Sequence, residues 1–302
     1  MPTNIKQAYA MVNSQKVVAS YDEDSGLWSV ETNAPPQSSW NQPDHVYQIT
    51  LHAEDLAGNT AKMTSSDPTY GEQLEIRVLE TTPPVATIVS PTQDAVLGAS
   101  TQNVVMELQD TGDSGLNMST VVFKINNQPI SEGLDWQDGD DGKKTCTYVA
   151  TNLSDGSNTI TLQVTDNDGN ESNLASVSFM ISTAAPQLSV TTPTEGLITN
   201  SPSLTVSGTV APGSELVTIS SVTVNGDNAV VSEGAFTKEI TLTEGQNTVT
   251  VIATDSLGKT TTVTRHVTLD TKAPVISDVV AESTTVNVGG TIRITFKITD
   301  PA

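Results

Sequence analysis

Apolar and polar residues alternate with period two along most of this chain. Val104, Met106 and Leu108 are spaced this way, as are Val121, Phe123 and Ile125, and again Ile160, Leu162 and Val164. Such alternation predicts half-buried β-strands, with one face to a core and one to water. The runs stop at Gly, Pro, Asn and Asp, residues that favour turns. One strand-turn signature recurs at residues 49–58, 160–169 and 249–258: an alternating run that ends in Asp, then two residues, then Gly. A repeat of roughly a hundred residues built from strand and turn predicts an array of small β domains.

Pro-centred junctions punctuate the array at Thr81-Thr82-Pro83-Pro84, Thr183-Ala184-Ala185-Pro186 and Thr271-Lys272-Ala273-Pro274. Proline fixes φ and removes a donor, so the chain passes between sheets at restricted angles. The segments are then 1–82, 83–183, 184–271 and a remnant at 272–302. In 83–183 an opening strand at 85–90 is stopped by Pro91, and turn residues recur every 8–12 positions, the pattern of an immunoglobulin-like sandwich. In 184–271, Val222 and Val224 lead into Asn225-Gly226, a strong hairpin signal. The fold class expected is all-β: tandem immunoglobulin-like β-sandwiches, arranged as beads on a string.

The two end segments differ from this scheme. Ala8, Ala10 and Val12, followed by Asn13-Ser14-Gln15, line up with Val121, Phe123, Ile125 and Asn126-Asn127-Gln128. The first segment therefore starts at the third strand of the pattern and lacks the first two. In the last segment, Ala273-Pro274-Val275-Ile276 opens a new unit, and Ile292, Ile294, Phe296 and Ile298 form a second strand ending at Asp300. That strand is the counterpart of residues 104–110.

The chain has 302 residues, 36% of them apolar, as expected for small sandwiches with wet outer faces. Its formal charge of −22 repels phosphate backbones and anionic membrane surfaces, and attracts divalent cations. Nucleic acid is therefore not an expected partner. The one cysteine, Cys146, allows no internal disulfide. No run approaches the roughly 20 apolar residues of a helical span, so no membrane insertion is expected. Residues 1–6 carry no apolar signal core. Either the protein is made in a host cytoplasm without a leader, or a secretion signal has been removed.

Gly234-Ala235-Phe236, Ile240, Leu242, Gly245, Asn247 and the 249–258 strand-turn resemble tandem bacterial immunoglobulin-like (Big-type) domains. The match is best over 184–271, and Gly26-Leu27-Trp28 stands in for Gly234-Ala235-Phe236 in the first segment. The opening block, through the loop Pro35-Pro36-Gln37-Ser38-Ser39-Trp40, resembles leader-less proteins of phage tail regions. These resemblances imply the sandwich fold and a role as spacer, decoration or binding module. They imply no catalytic residue.

Candidate chemistry is sparse. Asp166, Asp168 and Asn170, and Asp138, Asp140 and Asp141, place oxygens in tight loops where calcium could bind. Neither group meets the EF-hand spacing, and the competing reading is a turn whose side chains cap backbone amides. His45, His52 and His266 have no zinc-site spacing and read as surface residues. Among Trp28, Trp40 and Trp136, Trp40 sits in a polar loop and is the candidate for stacking on a glycan. No nucleophile elbow or phosphate loop appears, so no enzyme and no cofactor beyond calcium is expected.

The function expected is structural or adhesive: a phage virion component of tail or decoration type, located in the virion and contacting other virion proteins or cell-surface glycans. The alternative is a spacer piece of a bacterial cell-surface adhesin or wall-anchored protein. A further expectation is self-association. The strand pair carrying Ile292, Ile294, Phe296 and Ile298 would complete the segment that presents Ala8, Ala10 and Val12 on another copy, head to tail. Against it stand a complete, shorter first sandwich and a fourth domain cut short.

Overall fold

The computed structural model describes residues 4–300, with the Asp141 side chain left aside. Where β-branched residues alternate with polar ones, the chain is extended and pairs antiparallel, because one face then leaves water while each backbone group finds a partner. Contacts gather the chain into two units. One comprises residues up to Ala95 with Thr101–Met180, the other Val96–Ser100 with the residues from Ile181 onward.

The first unit opens with β1 (Ile5–Val12) and β2 (Gln15–Val18), joined at Asn13 and Ser14, whose positive φ of 46° and 64° makes a tight turn. A small pair, β3 (Ser20–Tyr21) and β4 (Trp28–Ser29), follows. Next come β5 (Tyr47–Asp55), β6 (Thr60–Met63) and β7 (Glu75–Ile76). The main sheet runs β2-β1-β5-β6, with β7 also on β5. Ala8 pairs with Ala53, Ala10 with Leu51 and Val12 with Ile49, so these six share one face. Ala61 and Met63 continue that face through their pairing with Ala53 and Leu51.

The same unit holds a two-sheet sandwich. Its strands are β8 (Val85–Ser90), β10 (Gln102–Gln109), β11 (Leu116–Ile125), β12 (Gln128–Ile130), β13 (Trp136–Asp138), β14 (Lys144–Ala150), β15 (Gly156–Asp166) and β16 (Ala175–Ile181). One sheet runs β13-β14-β10-β8 and the other contains β12-β11-β15-β16. Val104, Met106, Leu108, Phe123, Ile160, Leu162, Val164 and Phe179 fill the space between them, none more than 1% exposed. These are the in-phase positions of the alternating runs.

The second unit takes β9 (Val96–Leu97) and a sandwich of β17 (Gln187–Thr192), β18 (Leu197–Thr199), β19 (Ser203–Ala211), β20 (Ile219–Val224), β21 (Asp227–Asn228), β22 (Val230–Ser232), β23 (Ala235–Thr241), β24 (Gly245–Asp255) and β25 (Thr260–Leu269). Its sheets run β17-β19-β23-β22 and β18-β25-β24-β20-β21. Val206, Val222, Val224, Phe236, Val249 and Val251 form the heart of the core. Gly208 lets Phe236 in: a Cβ there would stand 2.0 Å from Ser189 O and 2.7 Å from the ring. The unit ends in a separate hairpin of β26 (Val275–Ala281) and β27 (Ile294–Thr299). The last strand thus begins at Ile294. Ile292, expected inside it, lies in the loop after Gly289 and Gly290, where the turn delays pairing.

The architecture is all-β, a series of immunoglobulin-like β-sandwiches.

Candidate functional site

The recurring Asp-x-x-Gly turn is built the same way three times. Asp166 Oδ1 accepts from the backbone N–H groups of Asp168 and Asn170 at 2.9 and 2.8 Å. Asp55 does the same for Ala57 and Asn59, and Asp255 for Leu257 and Lys259. The aspartate is a turn cap in each repeat, which is why the chain supplies Asp at the strand end and Gly at a positive φ of 87°, 94° and 80° two residues before the reversal closes.

In the first unit the middle turn is joined by groups from outside it. Glu80 donates its backbone N–H to Asp168 Oδ2 at 2.9 Å, and its carbonyl accepts from Asn170 Nδ2 at 3.0 Å. The Glu80 carboxylate accepts from Ser114 Oγ at 3.1 Å and from the Thr82 backbone N–H at 2.6 Å. Asp110 caps the facing loop by accepting from the N–H groups of Gly112 and Gly115. Nearby, the Ser38 N–H donates to both oxygens of Asp113 at 3.0 Å, and Asn41 Nδ2 donates to the Asp113 carbonyl at 2.5 Å. This lattice fastens the segment before Pro83 to the sandwich after it.

Carboxylate oxygens of Glu80, Asp110 and Asp166 lie within 4.8 Å of one another, the acidic cluster of metal-ligating spacing among the described residues. Burial pushes the Glu80 carboxyl above its usual range, and the neighbouring Asp166 and Asp110 add to the rise, opposed by the bonds from Thr82 and Ser114.

The residues expected to form loop sites are placed as follows. Asp166 is in the cluster, while Asp168 and Asn170 are bonded to Glu80. Asp138 is exposed and ion-paired with Lys144, and Asp140 is exposed in a short turn. The Asp141 side chain lies outside the described residues. Trp40 is half-buried, with His45 stacked on it at 3.9 Å between ring centres. His52 stacks on Tyr9 at 4.6 Å on the outer face of its sheet, and exposed His266 pairs with Glu195 at 2.8 Å. Cys146 is buried, and burial pushes its thiol pKa up, which disfavours the reactive thiolate. Glu80 and Asp110 were not singled out from the sequence. The signal that could have found Glu80 is its place just before the Pro83-Pro84 junction.

A second feature is an apolar trough on the inner face of the first sheet. It has a volume of about 330 Å³ and is lined by Ile5, Ala8, Leu51, Ala53, Met63 and Trp28, among others. A further hollow of about 370 Å³ continues it, sharing Val30 and Leu51. At the other end of the face, Ala10, Val12, Val46, Tyr47 and Leu74 are buried. Trp28 is half-buried at the trough with Tyr21 tilted against it.

Comparisons with known proteins find similarity over parts of the chain. Residues 186–271 match the family model described as glucodextranase, domain B. Bacillopeptidase F of Bacillus subtilis (strain 168) is 30% identical over 145 residues, which is 48% of this chain and 10% of that protein. The chain thus spans a small part of that relative's length. Among solved structures, an ectodomain fragment of ICAM-5 aligns at 18% identity and a TM-score of 0.43, covering 86% of this chain and 66% of its own. An I-band fragment of titin aligns at 11% identity and a TM-score of 0.42, covering 89% of each chain. The assignment of tandem immunoglobulin-like sandwiches itself rests on the sheet topology of the chain.

Proposed function

We propose that this chain is a non-enzymatic structural array: immunoglobulin-like beads that space or attach something else, within a secreted or cell-surface bacterial protein. The observation that carries this reading is the junction before Pro83. There the chain spends Glu80, Asp113, Asp168 and Asn170 on fixing one domain to the next. The similarity of residues 186–271 to the model described as glucodextranase, domain B, and of about half the chain to one part of a far longer bacterial protein, supports a modular role. The virion placement is the second reading, favoured by the resemblance of the opening block to phage tail-region proteins.

Calcium remains a proposal for the junction, with Glu80, Asp110 and Asp166 in place of the two loops expected. It is dropped if added calcium leaves the melting temperature of the chain unmoved. Glycan contact at Trp40 is likewise proposed, through the ring face that His45 does not cover.

The test is binding of the labelled chain to whole bacterial cells and to isolated cell-wall glycan. A spacer shows no saturable binding to either. An adhesive arm shows saturable binding that Trp40→Ala abolishes. Turnover of a peptide or glycan substrate by the purified chain would overturn both.

A further inference from the structure

Trp40 is held by one part of its loop and covered by another. Its backbone stands on a bonded frame. The Trp40 N–H donates to Ser38 Oγ at 3.0 Å, the Ser39 N–H to the Val78 carbonyl at 2.8 Å, and the Val78 N–H to Ser39 Oγ at 3.2 Å. Ser38 and Ser39 are buried, and Asp113 accepts from the Ser38 N–H. After the loop, Val46 and Tyr47 are buried again, with the Tyr47 hydroxyl donating to the Gln37 carbonyl at 3.3 Å. Between these anchors Pro43, Asp44 and His45 are exposed.

The cover is His45. Its ring centre lies 3.9 Å from that of Trp40, with 8° between the planes, and its Nδ1 donates to the Trp40 carbonyl at 2.5 Å. To bring the ring there, Asp44 takes φ 53° and ψ 17°, and His45 takes φ 57°. Two successive residues that carry a Cβ are thus left-handed, a conformation in which the Cβ crowds the following carbonyl. The turn is closed by the His45 N–H on the Gln42 carbonyl at 3.0 Å and by a longer bond from the Val46 N–H to the Pro43 carbonyl at 3.3 Å. One ring stack and a few exposed hydrogen bonds therefore hold a strained backbone shut.

We propose that residues 43–45 are a displaceable cover on Trp40, and that a glycan opens it. The inference rests on the reading of Trp40 as a glycan contact. Closed, the indole offers one face. Open, it offers both, while Ser38, Ser39, Val46 and Tyr47 keep the ends of the loop seated. A glycan that lays the apolar face of a sugar on the second side of the ring binds the open state better and shifts the population toward it. The strain at Asp44 and His45 sets the balance, because it is present in the closed state and relieved in the open one. The cover also makes Trp40 selective: a ligand gains the second face only by replacing the contact that His45 makes.

The test compares three full-length chains: the natural chain, His45→Ala and Asp44→Gly. Both positions are exposed, and circular dichroism checks that the variants fold. Acrylamide quenching of tryptophan fluorescence reads the accessibility of Trp40, as the difference between each chain and its Trp40→Phe counterpart. Binding of solubilised cell-wall glycan is measured on the same chains. His45→Ala removes the cover, so Trp40 is quenched more and glycan binds more tightly. Asp44→Gly favours the closed state, because glycine takes a positive φ without a Cβ clash; Trp40 is quenched less and glycan binding weakens by up to about fivefold. Quenching that is unchanged in His45→Ala, or that moves the same way in both variants, overturns the cover. Quenching in the expected order with no glycan bound by any of the three chains overturns the displacement and, with it, the glycan reading of Trp40.

Discussion

At the scale of residues, buried polar groups set the sharpest expectations. Asp255 is 1% exposed, and its Oδ2 accepts no hydrogen bond; Lys259 Nζ stands 3.9 Å away and donates to the Ser182 carbonyl. Lys259→Met leaves that carboxylate buried without a cation. It should destabilise the second unit by about 1–3 kcal/mol in urea unfolding, and adding Asp255→Asn should recover part of the loss. Gly208→Ala drives a methyl into Ser189 O and the Phe236 ring and should lower stability by about 1–3 kcal/mol. Glu80 supplies a pH signature. Its folded pKa is raised, so its contribution is full below the unfolded value and is lost as pH rises through the folded one. Glu80→Gln should therefore raise the melting temperature at neutral pH, and its advantage over the natural chain should vanish as pH falls through the carboxylate range. An advantage that holds at every pH would remove the raised carboxyl from the account.

At the scale of elements, the first domain is softer than the sandwich that follows it. The first sheet's core is Ala10, Val12, Val46, Tyr47 and Leu74, small beside the Phe, Met, Leu and Ile packing of the following sandwich. Hydrogen exchange should find β1 and β5 less protected than β10 and β15. The strands themselves were legible because period-two alternation maps directly to burial, as Val104, Met106 and Leu108 show. The Asn225-Gly226 turn was legible because its φ values of 53° and 91° suit those two residues. The junction was not. Glu80, Asp110 and Asp166 are distant in sequence and meet only when loops of different strands converge, which no local pattern encodes. The Trp40–His45 stack was hidden for a similar reason: Asp44 and His45 take positive φ of 53° and 57°, folding the ring back over the tryptophan. Ile292 was misplaced because apolar alternation continues past the point where Gly289-Gly290 lets the backbone pair.

At the scale of the whole molecule, the charge of −22 and the wet outer faces favour a protein that stays soluble while exposing much surface. The described residues bring together a turn-cap lattice at one junction and filled cores in two sandwiches, and both features resist deformation. In the proposed spacer role, the two complete sandwiches unfold under load as separate cooperative units. Single-molecule pulling from the two ends tests this most directly. Two large unfolding steps are expected, each releasing roughly 30 nm at about 3.4 Å per extended residue, after a weaker event from the first domain. One cooperative step for the whole chain, or smooth extension without steps, would contradict it.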